Sequence, residues 1–389
     1  MKILHLFSDW KWTGPAEPVI NLCKGLEKRG HDVTLAYRRP PVPIEESVER
    51  RVLEEGIKAT DRFRLNHVLK LSQPSFIGDT LHDFTRLPRY LRQEKFELLN
   101  VHHSHDHVLG GIAARGMDPP VLVVRTDHKR NSIEPGVGNR LLVSRLTDGI
   151  MTFSEASRRA FISQFHLPAE RVALIPTALD LERYSPRGSF KDMRTLFGIK
   201  PTDIVIGMIA RFQKYRRTDV FLGAMQKIVR EFPNVKLLLV GRSSQMEESV
   251  IQPTKKLGME PWVILAGYRT DDYVDTLACM DIFVFLMAGS DGTARALREA
   301  MALGKPVVVS DQVMLPELTE NGVSGWVVKM NSEELATAVL TLLRSSELRK
   351  TMGKAVLERA QQNFRLDQQV DRVEEFYRSM MVLGKWRKR

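Results

Sequence analysis

Cysteine is nearly missing from this sequence: there are two in 389 residues, Cys23 and Cys279, both in apolar surroundings and without paired metal-type spacing. That excludes a disulfide framework, and two buried free thiols point to a reducing compartment. Aromatic residues make up only 7%. No basic stretch is interleaved with aromatics, framed by zinc ligands or set in heptads, so the added signatures of a nucleic-acid reader are absent. No apolar run approaches the ~18 to 20 residues of a membrane span. The first residues, Met1 to Phe7, read as a short β-strand rather than a leader peptide. The expectation is a cytoplasmic protein, neither exported nor integral to a membrane.

What the chain does have is length, apolar content and positive charge. Hydrophobic residues at 43% of 389 fill two cores, because single cores stop growing at roughly 250 to 300 residues. A formal net charge of +11 calls for an anionic partner: nucleic acid, an acidic membrane surface or an anionic substrate. The basic clusters (Lys129-Arg130, Arg158-Arg159, Arg216-Arg217 and the tail Lys385 to Arg389) are scattered along the chain. The tail, with Trp386 among its cations, is either a contact for an anionic leaflet or a frayed end.

Short apolar strands alternate with amphipathic helices along nearly the whole chain, the pattern of parallel, doubly wound sheets. In the first half the strands are Lys2 to Phe7, Asp32 to Tyr37, Phe96 to His102, Pro120 to Thr126, Gly149 to Phe153 and Arg171 to Ile175. In the second they are Ile204 to Ala210, Val235 to Val240, Val263 to Ala266, Ile282 to Leu286, Val307 to Val309 and Gly325 to Val328. Pro40 to Lys95 is polar, basic and proline-punctuated, with helical stretches near Glu45 to Glu55 and Asp79 to Arg92. Ser185 to Pro201, with its prolines, glycines and charges, reads as the linker.

The chemistry concentrates at strand ends. Gly14 stands in the first strand-to-helix loop, where a backbone can come close to a phosphate or sugar; an ordinary turn glycine is the alternative. His103-Ser104-His105-Asp106-His107 invites a zinc reading, but its spacing is wrong for the known frames, and the cluster is read as lining a cleft. Arg211 and Arg216 follow the strand Ile204 to Ala210, where two guanidiniums would grip a diphosphate; Lys214 rivals the second, and a solvated basic turn is the bland reading.

The stretch Gly289 to Pro306 organises the second half. An apolar strand, a polar turn, a helix and a second strand make one βαβ unit. Asp291 and Gly292 are expected where the helix begins, a seat for an anion. Glu299, two helical turns on among Ala296, Ala300 and Ala302, either accepts hydrogen bonds from a ribose diol or pairs with Arg295 four residues earlier.

Two acidic residues eight apart, Asp291 and Glu299, followed by Ala300-Met301-Ala302 and Gly304-Lys305-Pro306-Val307-Val308, resemble the signature of the retaining GT-B glycosyltransferases of family four. The family usually has Glu at the first position and Phe-Gly where this chain has Thr293-Ala294. Further along, Leu315-Pro316-Glu317 and Asn321-Gly322-Val323-Ser324-Gly325 resemble its late elements. The resemblance implies an α/β protein of GT-B fold, two Rossmann-like doubly wound domains facing across a cleft. The boundaries expected are 1–188 for the acceptor side and 189–365 for nucleotide-sugar binding, with 366–389 a C-terminal helix and basic tail returning to the first domain.

By the same resemblance His128, just after the strand Pro120 to Thr126, contacts the donor sugar, with a capping histidine as the alternative. Asp291 holds sugar hydroxyls, and Gly14, Arg211, Arg216, Gly292, Thr293 and Glu299 bind the donor. The implied reaction moves a sugar from a nucleoside-diphosphate-sugar to a saccharide or lipid-linked saccharide acceptor with retention. It needs no metal or cofactor and no nucleic acid, and allows peripheral contact with an anionic membrane. A sugar-nucleotide epimerase of the same architecture, or a non-enzymatic basic binder of nucleic acid or membrane, is the alternative.

Overall fold

The computed structural model describes residues 1–12, 14–44, 47–66, 74–129, 133–289 and 294–384. The chain divides into two compact units, one from Met1 to Ala178 with the C-terminal segment from Leu366, the other from Leu179 to Arg365.

The first unit is built on strands β1 (Lys2–Phe7), β2 (Asp32–Tyr37), β3 (Ala59–Thr60), β4 (Leu98–Val101), β5 (Leu122–Thr126), β6 (Gly149–Thr152) and β7 (Val172–Leu174). They form a seven-stranded sheet in the order β3-β2-β1-β4-β5-β6-β7, and every pairing is parallel. Both faces are covered. Ile3, Phe7 and Leu35 pack under the helices Ala16–Lys28 and Leu366–Gly384, while Leu4, Leu6 and Leu99 pack on the opposite side against Leu87, Leu91 and Leu109. This double burial explains why the strands read as apolar runs rather than alternations.

The C-terminal helix is fastened at several points. A Cβ on Gly25 would meet Val370 at 2.3 Å, so the two helices touch at a position with room for no side chain. Asn100 Nδ2 donates to the buried Tyr377 hydroxyl at 2.8 Å, and Arg29 pairs with Asp371 at 2.5 Å.

The second unit carries β8 (Ile204–Ile209), β9 (Val235–Val240), β10 (Val263–Gly267), β11 (Ile282–Phe285), β12 (Val307–Ser310) and β13 (Trp326–Val328). These form a six-stranded sheet in the order β10-β9-β8-β11-β12-β13, again parallel throughout. Its two cores lie on opposite faces, with Met208, Leu237 and Val284 on one and Leu238, Phe283 and Val309 on the other.

The second unit starts at Leu179, ahead of the boundary expected at 188/189. Leu179 and Tyr184 are buried in that unit's core beside Phe364, and the Leu179 amide donates to the Phe364 carbonyl at 2.9 Å. The segment read as a linker is structured. It carries the helix Met193–Leu196, and Arg194 pairs with Asp281 at 2.5 Å. Its prolines and glycines punctuate a packed connection.

In both sheets the strand order reverses direction once, between β1 and β4 in the first and between β8 and β11 in the second. Ligands of open parallel sheets bind outside the carboxyl ends of the strands at such switch points.

Candidate functional site at the two switch points

In the first unit, residues at the carboxyl ends of β1, β4 and β5 form a buried polar edge. His5 lies within β1 and is 0% exposed, His102 follows β4 at 2%, and His128 stands two residues beyond β5 at 4%. His5 Nδ1 lies 3.0 Å from His102 Nε2, and His102 Nδ1 lies 2.9 Å from His128 Nε2. Burial holds all three below the usual imidazole range, His5 to about 3, so they are neutral at physiological pH.

His128 and His102 line a crevice with Thr126, Phe153, Val19 and Gln369. Gly14, half-buried, sits in the turn that opens the helix Ala16–Lys28. The neighbouring loop is fixed by Asp106, whose Oδ2 accepts from the amides of Ser8 at 3.2 Å and His103 at 2.9 Å. Burial raises the Asp106 carboxyl above its ordinary value.

The histidine-rich stretch therefore separates into different tasks. His107 points away from the crevice, its Nδ1 3.0 Å from the Arg125 guanidinium and its Nε2 2.6 Å from the Thr147 hydroxyl. Because that hydroxyl donates to the Leu142 carbonyl at 2.8 Å, His107 Nε2 carries the proton and Nδ1 accepts from Arg125. Arg125 in turn pairs with Asp127 at 2.8 Å, and both side chains are almost fully buried. His107 therefore does not line the crevice; His102, just before the cluster, and His128 do.

In the second unit the chain turns sharply after β8. Arg211 is exposed, and its side chain makes no hydrogen bond or ion pair to the described residues. Phe212 is 0% exposed and anchors the turn in the core. Arg216 is buried, donates from Nη1 to the Met287 carbonyl at 2.6 Å and lies over the Tyr215 ring. Lys214, the rival cation, is exposed. At the end of β9, Gly241 adopts φ +142°, and a Cβ there would meet the Ala210 carbonyl oxygen at 1.9 Å. Only glycine allows the ends of β8 and β9 to approach so closely.

The organising helix spans Arg295–Ala302 and so starts later than Asp291. Ala294 at its N-cap has φ +45°, a left-handed conformation that no α-helix runs through. Glu299 thus lies in the second turn of a short helix. Asp291, Gly292 and Thr293 lie outside the described residues.

Glu299 is 1% exposed. Its Oε1 accepts from the Tyr184 hydroxyl and from Arg295 Nε, both at 2.7 Å, and its Oε2 accepts from the Tyr273 hydroxyl. The Arg295 pair anticipated from spacing is therefore present, joined by two phenols. Burial and the adjacent Glu299 charge push the Tyr273 phenol well above its ordinary value, so it remains a donor.

Two family descriptions match this chain in tandem: "Glycosyltransferase Family 4" over residues 13–183 and "Glycosyl transferases group 1" over residues 189–359. The chain belongs to the group 1 GT-B glycosyltransferases. It is similar to the UDP-Gal:alpha-D-GlcNAc-diphosphoundecaprenol alpha-1,3-galactosyltransferase of Escherichia coli, 22% identical over 88% of this chain and 96% of that one. It is also similar to the N-acetyl-alpha-D-glucosaminyl L-malate synthase of Bacillus anthracis, 24% identical over 81% and 86%. Among solved structures, HepE of Anabaena in complex with UDP superposes with a TM-score of 0.80 at 22% identity, over 97% of this chain and 100% of that one. A glycosyltransferase of Rickettsia africae gives 0.82 at 14% identity, over 98% of each chain.

This glycosyltransferase transfers a sugar from a nucleotide-sugar donor. The structure brings Arg211, Arg216 and Gly241 to one strand edge of its second unit, and Gly14, His102 and His128 to one edge of its first. Sequence reasoning missed His5, His102, Tyr184 and Tyr273. His5 did carry a signal, as the one imidazole inside the apolar run Ile3 to Phe7. Tyr184 had none, because its partner Glu299 lies 115 residues away. Among the described residues no helix is long and apolar enough to cross a membrane.

Proposed function

We propose that this enzyme transfers a sugar from a uridine diphosphate sugar to a saccharide or lipid-linked saccharide acceptor, with retention at the anomeric carbon and without a metal ion, in the synthesis of a cell-surface polysaccharide. The observation that carries this reading is the second unit's switch point. There the exposed Arg211 guanidinium, the buried Arg216 and the close-approach Gly241 meet at the carboxyl ends of neighbouring strands.

An exposed guanidinium beside bare backbone suits a diphosphate, and fixed cations stabilise the charge that builds on a leaving diphosphate in place of a bound metal. The uridine base is supported by the relatives, one named for UDP-Gal and another held with UDP. The lipid-linked acceptor rests on the same galactosyltransferase and on the net charge of +11, which also suits peripheral contact with an anionic membrane.

In this reading the anomeric carbon–phosphate oxygen bond breaks and its electron pair leaves with the diphosphate. The acceptor oxygen bonds to the anomeric carbon on the same face, and its proton passes to the leaving phosphate oxygen. Glu299 holds the ribose hydroxyls, its Oε2 exchanging the Tyr273 hydroxyl for one of them while Tyr184 and Arg295 keep Oε1 in place. Asp291 takes sugar hydroxyls, Gly292 and Thr293 take phosphate oxygens, and Gly14 and His128 meet the donor from the first unit.

The test is nucleotide release from a panel of UDP-, GDP- and ADP-sugars, followed by NMR of the product's anomeric centre. Release from a UDP-sugar with the donor's anomeric configuration kept in the product is the outcome expected. An inverted product defeats the retaining reading, and release only from a GDP- or ADP-sugar defeats the choice of base.

A further inference from the structure

The three buried histidines of the first unit meet edge to edge. A ring-centroid separation of 5.3 Å with the planes 19° apart, together with the 3.0 Å Nδ1···Nε2 distance, places His5 and His102 in line. His102 and His128 repeat the arrangement at 5.2 Å and 2.9 Å. The outer atoms of the row, His5 Nε2 and His128 Nδ1, are both buried and have no partner among the described residues.

A neutral imidazole has one N–H and one lone pair, so each N···N contact needs a donor on one side and an acceptor on the other. Three rings and two contacts leave two consistent arrangements. In one, His5 Nδ1–H donates to His102, His102 Nδ1–H donates to His128, and His128 presents an Nδ1–H. In the other every proton moves to Nε2, His128 presents a bare Nδ1, and His5 Nε2–H is sealed in the interior without an acceptor. A buried N–H with no acceptor is among the rarest features of folded proteins. The first arrangement leaves only a lone pair at the His5 end and puts the unmatched N–H on His128, which lines the crevice whereas His5 does not, so that a ligand oxygen bound there can take it. Protonation to an imidazolium is opposed first by burial and then by the nearby Arg125 charge.

We propose that His5 and His102 are positioning residues that lock His128 as a neutral Nδ1–H donor, so that its role toward the sugar is to donate a hydrogen bond and never to remove a proton. This rests on the reading that His128 meets the donor sugar. Gln369 Oε1, an unmatched acceptor lining the same crevice, extends the argument: a hydroxyl accepts from His128 and donates to Gln369, whereas an ether oxygen satisfies only the histidine. The row thereby favours a hydroxyl group at that point.

The direct test needs no substrate. Long-range 1H–15N correlation spectra of the full-length protein labelled with 15N-histidine report which nitrogen of each ring carries the proton. All three rings as Nδ1–H, the less common tautomer of a free histidine side chain, is the result expected; Nε2–H at His128 overturns the proposal.

Two variants then connect tautomer to turnover. His102→Leu removes the donor that fixes His128 Nε2 as an acceptor, so the His128 spectrum loses its single locked Nδ1–H signature and kcat falls about tenfold, the worth of one hydrogen bond, with donor KM little changed. His102→Gln keeps an N–H toward His128 and recovers most of that loss. Unchanged kcat and an unchanged His128 spectrum in His102→Leu overturn the positioning role; if that variant does not fold, the native spectrum and His102→Gln still decide. His128→Ala separates the premises: full activity there overturns the contact with the sugar, while the native spectrum judges the tautomer row on its own.

Discussion

Arg216 Nη1 donates to the Met287 carbonyl at 2.6 Å, tying the turn after β8 to the segment after β11, the two strands that flank the second unit's switch point. On the other side of that segment the Ser310 hydroxyl donates to the Leu286 carbonyl at 2.5 Å. The strand end that leads into Gly289 is thus held by a cation from one neighbour and a hydroxyl from the other, and Arg216 does structural work as well as carrying charge.

It follows that Arg216→Lys is not conservative. Lysine keeps the charge but loses the planar fork that reaches a carbonyl and leaves further N–H groups for a phosphate. A charged hydrogen bond is worth about 1.5 to 3 kcal/mol, so kcat/KM for the nucleotide-sugar is expected to fall roughly 10- to 100-fold. Arg211→Lys, at an exposed side chain without a partner among the described residues, is expected to cost no more than a few-fold. Equal losses in steady-state kinetics of the two variants would show that the Met287 tether is unimportant.

The three donors around Glu299 give a second prediction. Removing the buried carboxylate takes an acceptor away from Arg295, Tyr184 and Tyr273 at once, so Glu299→Ala is expected to lower stability by about 1 to 3 kcal/mol as well as donor binding. Tyr273→Phe separates the two effects. If Oε2 exchanges the phenol for a ribose hydroxyl, this variant binds the uridine nucleotide more tightly while losing about 1 kcal/mol of stability. Weaker binding by titration calorimetry would assign Tyr273 to the nucleotide site itself.

The alternation of strands and helices was legible throughout, because strands buried on both faces must be apolar along their length, and Ile204 to Ile209 and Val235 to Val240 are close to solid runs. β3 was not: its two residues carry no periodicity and are defined only by pairing with Leu35 and Ala36. Ser185 to Pro201 misled because local composition cannot show that Phe190 and Ile199 pack in a core assembled from later strands. At the site, strand-end cations and Glu299 stood out by residue type and position. Their partners did not, since Tyr184 to Glu299 and His5 to His102 are contacts made only by the completed fold.

The buried pair Arg125 and Asp127 immediately precedes His128, and it supplies the third prediction. Breaking it by Asp127→Ala leaves an uncompensated guanidinium in the interior, at a cost of about 3 to 5 kcal/mol. Replacing both partners by apolar residues of similar size, as in Arg125→Met with Asp127→Leu, is expected to recover much of that stability. Because Asp127 directly precedes His128 in the chain, the double variant is expected still to lose transfer activity. Urea unfolding and kinetics on the same preparations check both halves, and a fully active double variant would show that the pair does not position His128.

Acid stability follows from the same row of rings. Folded His5 takes up its proton only near pH 3, whereas the unfolded chain takes it up near 6.5. Between those values the unfolded state holds more protons, so stability is lost as pH falls through that window, by about 1.4 kcal/mol per pH unit for each such histidine. His102, His107 and His128 are shifted in the same direction and add to the slope. Asp106 acts the other way, because its raised carboxyl keeps a proton in the folded state that the unfolded chain has released, and so favours folding toward the acid end. With several histidines against one carboxyl, the net expectation is a steep fall in the urea midpoint between pH 6.5 and 5. His5→Phe removes one titrating ring without emptying its site, and should flatten that fall by about one proton's worth. A midpoint that does not move between pH 7 and 5 would mean that the folded and unfolded chains take up the same protons over that range, and the hydrogen-bonded row of neutral rings would then have to be given up.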